Sequence, residues 1–503
     1  MIAKTIFESV TLSACDIQNM DLLQIRIRER FMEKKIFLVL DDVWNENYGD
    51  WVELLKVFKC GAQEIKIIVT TRSKKVASNV CTIPTYLLKQ LSNDECRWLF
   101  EKHAFKNGNA DEFLVLEEIG RQIVQKCKDL PLAVKALGGL LRSEQDLREW
   151  TKILKSDIWD LPEGNISILP ALRLSYHYLP SHLKRCFVYC SILPKDYEFK
   201  KEELVLLWMA EDLLQQSKEN GRMEEIGEQY FDDLVSRSFF QQSSMDYLVL
   251  WPFFEQSTKD KSCFVMHDLI NDLAKFISGE FFFRLEIDKS CEITTKTRHL
   301  SYVRTKFDAF KKFEVSYEAK DLRTFLGLDL SESRWLWNNI STMMIDDLLL
   351  KFKCLRVLSF STYRNMKHLP TSVGNLKHLR YLNLSYTAIK QLPNSVCSLY
   401  NLQTLLLLEC ESLTELPTKM GRLVNLLLLE CESLTELPTK MGRLVNLRHL
   451  DISRTNLKEM PLQMGKLRNL HKLTTFVVSK HSGSSIKELR ELQHLSGSLS
   501  ILN

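Results

Sequence analysis

From about Arg298 onward, leucine recurs at a fixed phase, and that phase dictates a solenoid. Counted from the first leucine of each Leu-x-x-Leu-x-Leu segment, Leu355, Leu379, Leu402, Leu426, Leu447 and Leu470 lie 24, 23, 24, 21 and 23 residues apart. Leu-Pro or Met-Pro punctuates each unit at Leu392-Pro393, Leu416-Pro417, Leu437-Pro438 and Met460-Pro461. This is a leucine-rich-repeat period, in which no single repeat can bury its apolar face alone. Alternate leucines such as Leu382 and Leu384 are expected to stack inward. Tyr381, Asn383, Ser385, His449, Asp451 and Ser453 are expected to point outward from one continuous sheet, as an interaction surface for a protein partner. Leu405–Leu426 is repeated without change at Leu426–Leu447, and the 21-residue offset should strain one turn. The last residues, Ser500-Ile-Leu-Asn503, read as the start of a repeat cut short.

The rest of the chain is not repetitive. Its 503 residues give a prior of roughly three to four domains. With 45% hydrophobic and 26% charged residues it can build cores and stay soluble, which excludes a wholly disordered chain. A net charge of +4 with no basic arm argues against nucleic acid as a partner. No apolar run approaches the ~18 residues that span a bilayer, and the first residues lack a signal-peptide core. Thirteen cysteines, with no Cys-x-x-Cys pair, suit a reducing cytoplasm better than a disulfide scaffold or a zinc site.

Residues 1–83 read as α/β. A helical stretch over 21–35 precedes the apolar run Ile36-Phe-Leu-Val-Leu40, which should be a strand covered on both faces. A short amphipathic helix, Trp51–Phe58, leads to a second strand, Lys66-Ile-Ile-Val69. Strand, helix, strand implies a parallel pair. Asp41-Asp42 follows the first strand and Thr70-Thr71-Arg72 the second, at the strand ends where ligands of open α/β sheets collect. A carboxylate there can hold a hydrated Mg²⁺, and an arginine can meet a phosphate. Each signal alone also reads as a solvated turn or a surface residue. The first glycine is Gly49, and no GxxxxGK[ST] phosphate loop occurs. Residues 84–290 are mostly helical. His267 falls between a strand-like Cys263–Met266 and a helix from Asp268. There it suits an anion at the helix start, although on the residues alone a His beside a capping Asp is the plainer reading. Leu130-Pro131-Leu132 could be only a helix start. Cys186 and Cys190 read as core, as does Trp208.

Lys34-Lys-Ile-Phe-Leu-Val-Leu-Asp41-Asp42-Val43-Trp44 resembles the Walker B (kinase-2) motif of plant NB-ARC leucine-rich-repeat disease-resistance proteins. Lys66-Ile-Ile-Val-Thr-Thr71-Arg72-Ser73 resembles their sensor motif. Cys127-Lys-Asp129-Leu-Pro131-Leu-Ala133 is similar to their GLPL motif, with Asp129 in place of glycine. The block from Cys186 to Phe199 and Met266-His267-Asp268 are similar to two further motifs, in the family's order. Trp44 and the Cys186 block are typical of the coiled-coil subclass. The resemblance implies a multidomain chain: a partial α/β nucleotide-binding subdomain (1–83), a helical ARC subdomain (84–165), a winged helix (166–290) and leucine-rich repeats (291–503).

It also implies a switch run by ADP and ATP with Mg²⁺. Asp41 would hold the metal through water, and Asp42 would act on the hydrolytic water. Arg72 would sense the γ-phosphate, Thr71 would belong to the same nucleotide site, Pro131 would pack against the adenine and His267 would touch the β-phosphate of ADP. Such a protein would be cytoplasmic, at most a slow ATPase rather than an enzyme in the ordinary sense, with a pathogen effector or a guarded host protein on its repeats. The family's coiled coil and phosphate loop are expected to be missing here, which points to an N-terminally truncated chain with impaired nucleotide binding. The competing expectations are a nucleotide-independent scaffold or decoy, and an inactive truncated product.

Overall fold

The computed structural model describes residues 7, 20–32, 34–59, 64–105, 114–142, 144, 146–160, 170–215, 222–243, 263–285, 293–329, 338–420, 423–478 and 484–502. They fall into two compact units, one up to Gln90 and one from Leu91 on.

The first unit is the α/β stretch. Helix α1 (Met20–Phe31) is followed by β1 (Lys35–Leu40), α2 (Tyr48–Lys59), β2 (Glu64–Val69) and α3 (Lys74–Val80). β1 and β2 are parallel, with Lys35 opposite Glu64 and Leu40 opposite Val69. Leu23, Ile27 and Phe31 of α1, Trp51 and Leu54 of α2 and Val76 of α3 pack with Ile36, Leu38, Leu40, Ile65 and Ile67. The expectation of a strand covered on both faces is corrected here. Alternate residues Phe37, Val39 and Ile68 are exposed, because among the described residues every helix of the unit packs on the other face. Ile83, Tyr86, Leu87 and Leu88 are also exposed, in an extended segment that ends the unit.

The second unit opens with five helices, α4 (Asn93–Ala104), α5 (Leu114–Lys126), α6 (Pro131–Leu141), α7 (Leu147–Leu154) and α8 (Pro170–His177). Ser92 and Glu95 form a reciprocal capping box that starts α4. Phe100, Ile123, Leu137 and Trp150 centre the core of this helical subdomain. Gly138 and Gly139 of α6 allow close crossings: a Cβ on Gly138 would lie 2.8 Å from His103 Cβ, and one on Gly139 2.8 Å from the Ser236 carbonyl.

Next comes a winged helix: α9 (Ser181–Tyr189), β3 (Phe199–Lys200), α10 (Lys201–Ala210), α11 (Met223–Ser236), β4 (Gln241–Gln242), β5 (Cys263–Val265) and α12 (Asp268–Ser278). Its three strands are antiparallel in the order β3-β5-β4. Cys186, Cys190 and Trp208 are buried in its core together with Phe187, Phe231 and Phe240.

A nine-stranded parallel sheet follows, built from β6 (Phe282–Leu285), β7 (His299–Val303), β9 (Thr324–Leu328), β11 (Val357–Ser359), β12 (Tyr381–Asn383), β13 (Thr404–Leu406), β14 (Asn425–Leu427), β15 (His449–Asp451) and β16 (Lys472–Leu473). Between them lie β8 (Phe307–Asp308) and β10 (Asn339–Ile340), which pair with each other; β17 (Thr475–Val477) pairs with β18 (Ser500–Leu502). The sheet thus begins at Phe282, ahead of the expected boundary at residue 291. Leu382, Leu384, Leu405, Leu407, Leu426, Leu428 and Leu450 are fully buried beneath it, as the repeat pattern requires.

The register relocates the short repeat. Thr404 pairs with Asn425 and Asn425 with His449, so the 21-residue interval lies between β13 and β14 and the next is 24. The repeat therefore starts at Leu423, not Leu426. The stretch from strand to Leu-Pro keeps its length, and the three residues come out of the opposite side. Other repeats carry a 3₁₀ turn after their proline, at Thr371–Asn375, Asn394–Ser398, Met441–Arg443 and Met464–Lys466. Residues 418–420, after Pro417, carry none.

Candidate functional site

In the first unit, the ends of β1 and β2 are tied into one turn. Thr70 N–H donates to the Leu40 carbonyl and Val43 N–H to the Thr70 carbonyl, each at 2.9 Å. Asp42 adopts φ 46°, a left-handed conformation that Asp tolerates, with its N–H donating to Thr70 Oγ1 at 2.9 Å. The Thr70 hydroxyl in turn donates to the Asp41 carboxylate. Thr71 Oγ1 donates to the Val43 carbonyl at 2.6 Å. Arg72 reaches back across the strand ends. Its Nε and Nη2 donate to Asp42 Oδ1 and Oδ2 at 3.3 and 3.1 Å, and its guanidinium lies 4.6 Å from the Trp44 ring centre. Trp44 Nε1 donates to the same Asp42 Oδ2 at 3.0 Å. Nearby, the Ser73 hydroxyl, with help from Lys75, holds exposed Glu46 below the usual carboxylate range.

Asp41, Asp42, Thr71 and Arg72 are therefore brought together. Pro131 and His267 lie in the other unit, each at a helix start. Pro131 is the first residue of α6, where its missing N–H costs nothing. His267 caps α12, its Nδ1 accepting the Leu269 N–H at 3.2 Å.

The concave face of the repeat sheet holds the largest difference from expectation. Tyr381, Asn383 and Ser385 point away from the leucine core, as the alternation requires, but they are buried. Tyr381 belongs to the winged-helix core cluster, together with Leu326, Leu328, Val357 and Leu406 of neighbouring strands. The expectation of six free positions is thus corrected at these three: the winged helix covers Tyr381, while Asn383 Oδ1 accepts the Ser385 N–H and the Ser385 hydroxyl oxygen accepts the Leu408 N–H of the next repeat. His449, Asp451 and Ser453, farther along, remain half-exposed. Asp451 accepts from the Ser453 N–H and the Thr474 hydroxyl.

The buried seam is polar at its centre. The Thr324 hydroxyl donates to the Glu211 carboxylate at 2.6 Å and lies 3.0 Å from His299 Nδ1 and 3.3 Å from the Tyr189 hydroxyl. Along one edge, arginines at one repeat phase meet acids of the winged helix. Arg356 donates to the Glu211 carbonyl at 3.1 Å, Arg380 pairs with Asp212 at 3.1 Å, and Arg448 pairs with Glu224 at 2.7 Å. The sequence carried a signal for this row: Arg323, Arg356, Arg380 and Arg448 each follow the first leucine of a repeat. Nothing in the sequence marked Glu211, Thr324 or His299 as one cluster.

Burial pushes the His299 imidazole down to about 3, with Arg323, Arg356 and Arg298 adding to the effect. It stays neutral when folded, whereas the unfolded chain gains a proton near pH 6.5. The folded state binds fewer protons, so this contribution is complete above pH ~6.5 and is lost as pH falls toward 3. Desolvation raises Glu211, which acts in the opposite direction: its contribution is lost as pH rises. Between pH 7 and pH 5 the His299 part alone amounts to about 2 kcal/mol. Urea melts at both pH values should show His299→Gln with a pH slope smaller by that amount; equal slopes would refute it.

Comparison with known proteins then decides the family. Residues 1–110 match the NB-ARC domain, residues 192–274 the disease resistance protein winged helix domain, and residues 336–496 a leucine-rich repeat region. Over 409 residues the chain is 44% identical to RPP13-like protein 1 of Arabidopsis thaliana, named for disease resistance, covering 80% of this chain and 37% of that protein. It is 44% identical over 259 residues to disease resistance protein RGA2 of Solanum bulbocastanum, covering 51% and 25%. It is 32% identical over 409 residues to disease resistance RPP13-like protein 4 of Arabidopsis thaliana, covering 78% and 44%. The chain belongs to the plant NB-ARC leucine-rich-repeat disease-resistance family. It spans roughly a quarter to two-fifths of the length of these relatives.

The NB-ARC family is a nucleotide-binding one, and the residues present can be tested for that. The cation end fits: Asp41 and Asp42 offer hard oxygens beside two threonine hydroxyls, as a hydrated Mg²⁺ held by one or two carboxylates requires. The phosphate end does not fit. Arg72 is already paired with Asp42, and Gly49 spends its N–H on Asn47 Oδ1 at 2.9 Å. No glycine-rich cradle occurs among the described residues of this unit. Trp44 touches both Asp42 and Arg72, a contact that its place after the acidic pair in the sequence does not signal. Among the described residues, no helix is long and apolar enough to cross a membrane.

Proposed function

We propose that this chain serves in a plant intracellular immune receptor, in defence against pathogens, as a module that the repeat sheet holds in a resting arrangement. The observation that carries this reading is the winged helix seated on the concave face, with Tyr381 buried beneath it. The seam combines buried apolar contacts with a polar cluster at its centre and a charged edge, so opening it exposes apolar surface and unpairs several polar groups and charges. The half-exposed positions His449, Asp451 and Ser453 are left for a protein partner, a pathogen effector or a guarded host protein, in the cytoplasm. In the first unit, Asp41 would hold Mg²⁺ through water and Asp42 would orient a water. Arg72, beside Thr71, would answer to the terminal phosphate of ATP as against ADP. The metal would supply charge neutralisation there. The roles of Pro131 and His267 at the base and the β-phosphate rest on family resemblance. The chain acts as a switch and not as an enzyme in the ordinary sense.

A second reading has its own support. The pairing of Arg72 with Asp42 and the lack of a phosphate cradle among the described residues favour a scaffold or decoy that keeps the seam but not the nucleotide, the inactive product being its limiting case. A charge swap tests the seam, which both readings share. Glu224→Arg or Arg448→Glu alone should speed amide exchange in α11 severalfold, since a half-buried pair is worth about 1 kcal/mol and reversal adds repulsion. The double variant should restore slow exchange. Expressed in leaves, the single variants should raise defence output and the double should lower it again. Single variants without effect on exchange would overturn the resting-arrangement reading. Altered exchange with unchanged output would favour the scaffold.

A further inference from the structure

We propose that Trp44 is a positioning residue that keeps Arg72 folded back onto Asp42, so that the guanidinium is held in reserve rather than presented to a phosphate. Four observations converge on it. Arg72 is bound as a fork, Nε to Oδ1 and Nη2 to Oδ2 of one carboxylate. The Trp44 indole N–H donates to that same Oδ2 at 3.0 Å, which fixes the carboxylate from a second side. The indole ring lies 4.6 Å from the guanidinium carbon, within cation–π range. The Asp42 backbone is itself anchored, through its N–H on Thr70 Oγ1.

An exposed ion pair alone is weak, because water competes for both partners. The indole changes that balance by covering one face of the guanidinium and supplying a second donor to the acid. This also accounts for the placement of Trp44, which is 56% exposed and stands outside the core of its unit. A phenylalanine at this position would keep the ring face and lose the donor, and a leucine would lose both. An approaching phosphate must therefore draw Arg72 away from the carboxylate and the ring together, which sets a threshold for the sensing role assigned above. The clip itself stands without nucleotide; only its release by phosphate rests on that assignment.

The test is the reactivity of Arg72 toward phenylglyoxal in the full chain, read by peptide mass spectrometry. Trp44→Leu should label at Arg72 about three- to tenfold faster than the native chain. Trp44→Phe should fall between them, and Asp42→Asn should be at least as fast as Trp44→Leu. Thermal melts matched to the native protein check that each variant is folded. Should Trp44→Leu fail to fold, the ¹H–¹⁵N indole signal missing in Trp44→Phe identifies Trp44 in the native chain, and Asp42→Asn should shift it. Native rates in both Trp44 variants beside a fast Asp42→Asn would overturn the proposal, as would an indole signal indifferent to Asp42→Asn. A second arm adds millimolar MgADP or MgATP. If Arg72 labelling in the native chain ignores both while the Trp44 variants still label faster, the sensing role fails and the clip stands.

Discussion

Tyr381→Ala is expected to destabilise the chain by about 3–5 kcal/mol, the cost of removing a large aromatic from a packed site. Tyr381 is fully buried, with its hydroxyl 3.4 Å from the Asn383 amide, and it lies where helix α10 meets strand β12. The loss falls on both partners of the seam, so two signatures should appear together. Urea melts should shift to lower denaturant, and amides of α10 and α11 should exchange faster while the repeat core stays protected. Leu384→Ala, on the opposite side of the same repeat, should cost a similar amount, about 2–5 kcal/mol, without loosening the winged helix selectively. A Tyr381→Ala protein that melts like the native one would show that the concave face is not sealed at that position.

The other large effect concerns nucleotide. A phosphate loop would supply several backbone N–H bonds and a lysine, each charge-assisted bond worth roughly 1.5–3 kcal/mol. Two or three such bonds amount to about 4–7 kcal/mol, on the order of 10³–10⁵ in affinity. This chain has no GxxxxGK[ST] motif, and Arg72 must first leave Asp42. Titration calorimetry on the purified chain is therefore expected to give dissociation constants for ADP and ATP weaker than about 100 µM. A low-micromolar constant would mean that a phosphate cradle forms by a route other than the known motif.

The repeat architecture was legible because its signal is redundant. Each strand, each inward leucine and each Leu-Pro corner is written several times, so local ambiguity is corrected by the neighbours. The repeat phase slips at Leu426 for Leu423, where four consecutive leucines at Leu426–Leu429 fit two phases and only strand pairing chooses. The βαβ order and the convergence of Asp41, Asp42, Thr71 and Arg72 were legible for the same local reason: they follow apolar runs that must be strands. The burial of Tyr381, Asn383 and Ser385 was not. Alternation along a strand says which way a side chain points, but not what sits above it. The winged helix that covers Tyr381 lies more than a hundred residues away in the chain. The Glu211–Thr324–His299 cluster is invisible for the same reason, since its members are unremarkable in their own segments. The pairing of Arg72 with Asp42 was missed because both residues were read as facing a ligand, when opposite charges at adjacent strand ends first satisfy each other.

The tandem copy within the repeats has a mechanical consequence. An arch bends because its outer blocks are wider than its inner ones. Here the inner spacing is fixed by strand pairing at about 4.8 Å, and the outer spacing is set by the width of the turns on the back. Residues 418–420, after Pro417, carry no such turn, and three residues fewer separate Pro417 from the next strand than in the neighbouring repeats, so the arch has a slimmer outer block at that point.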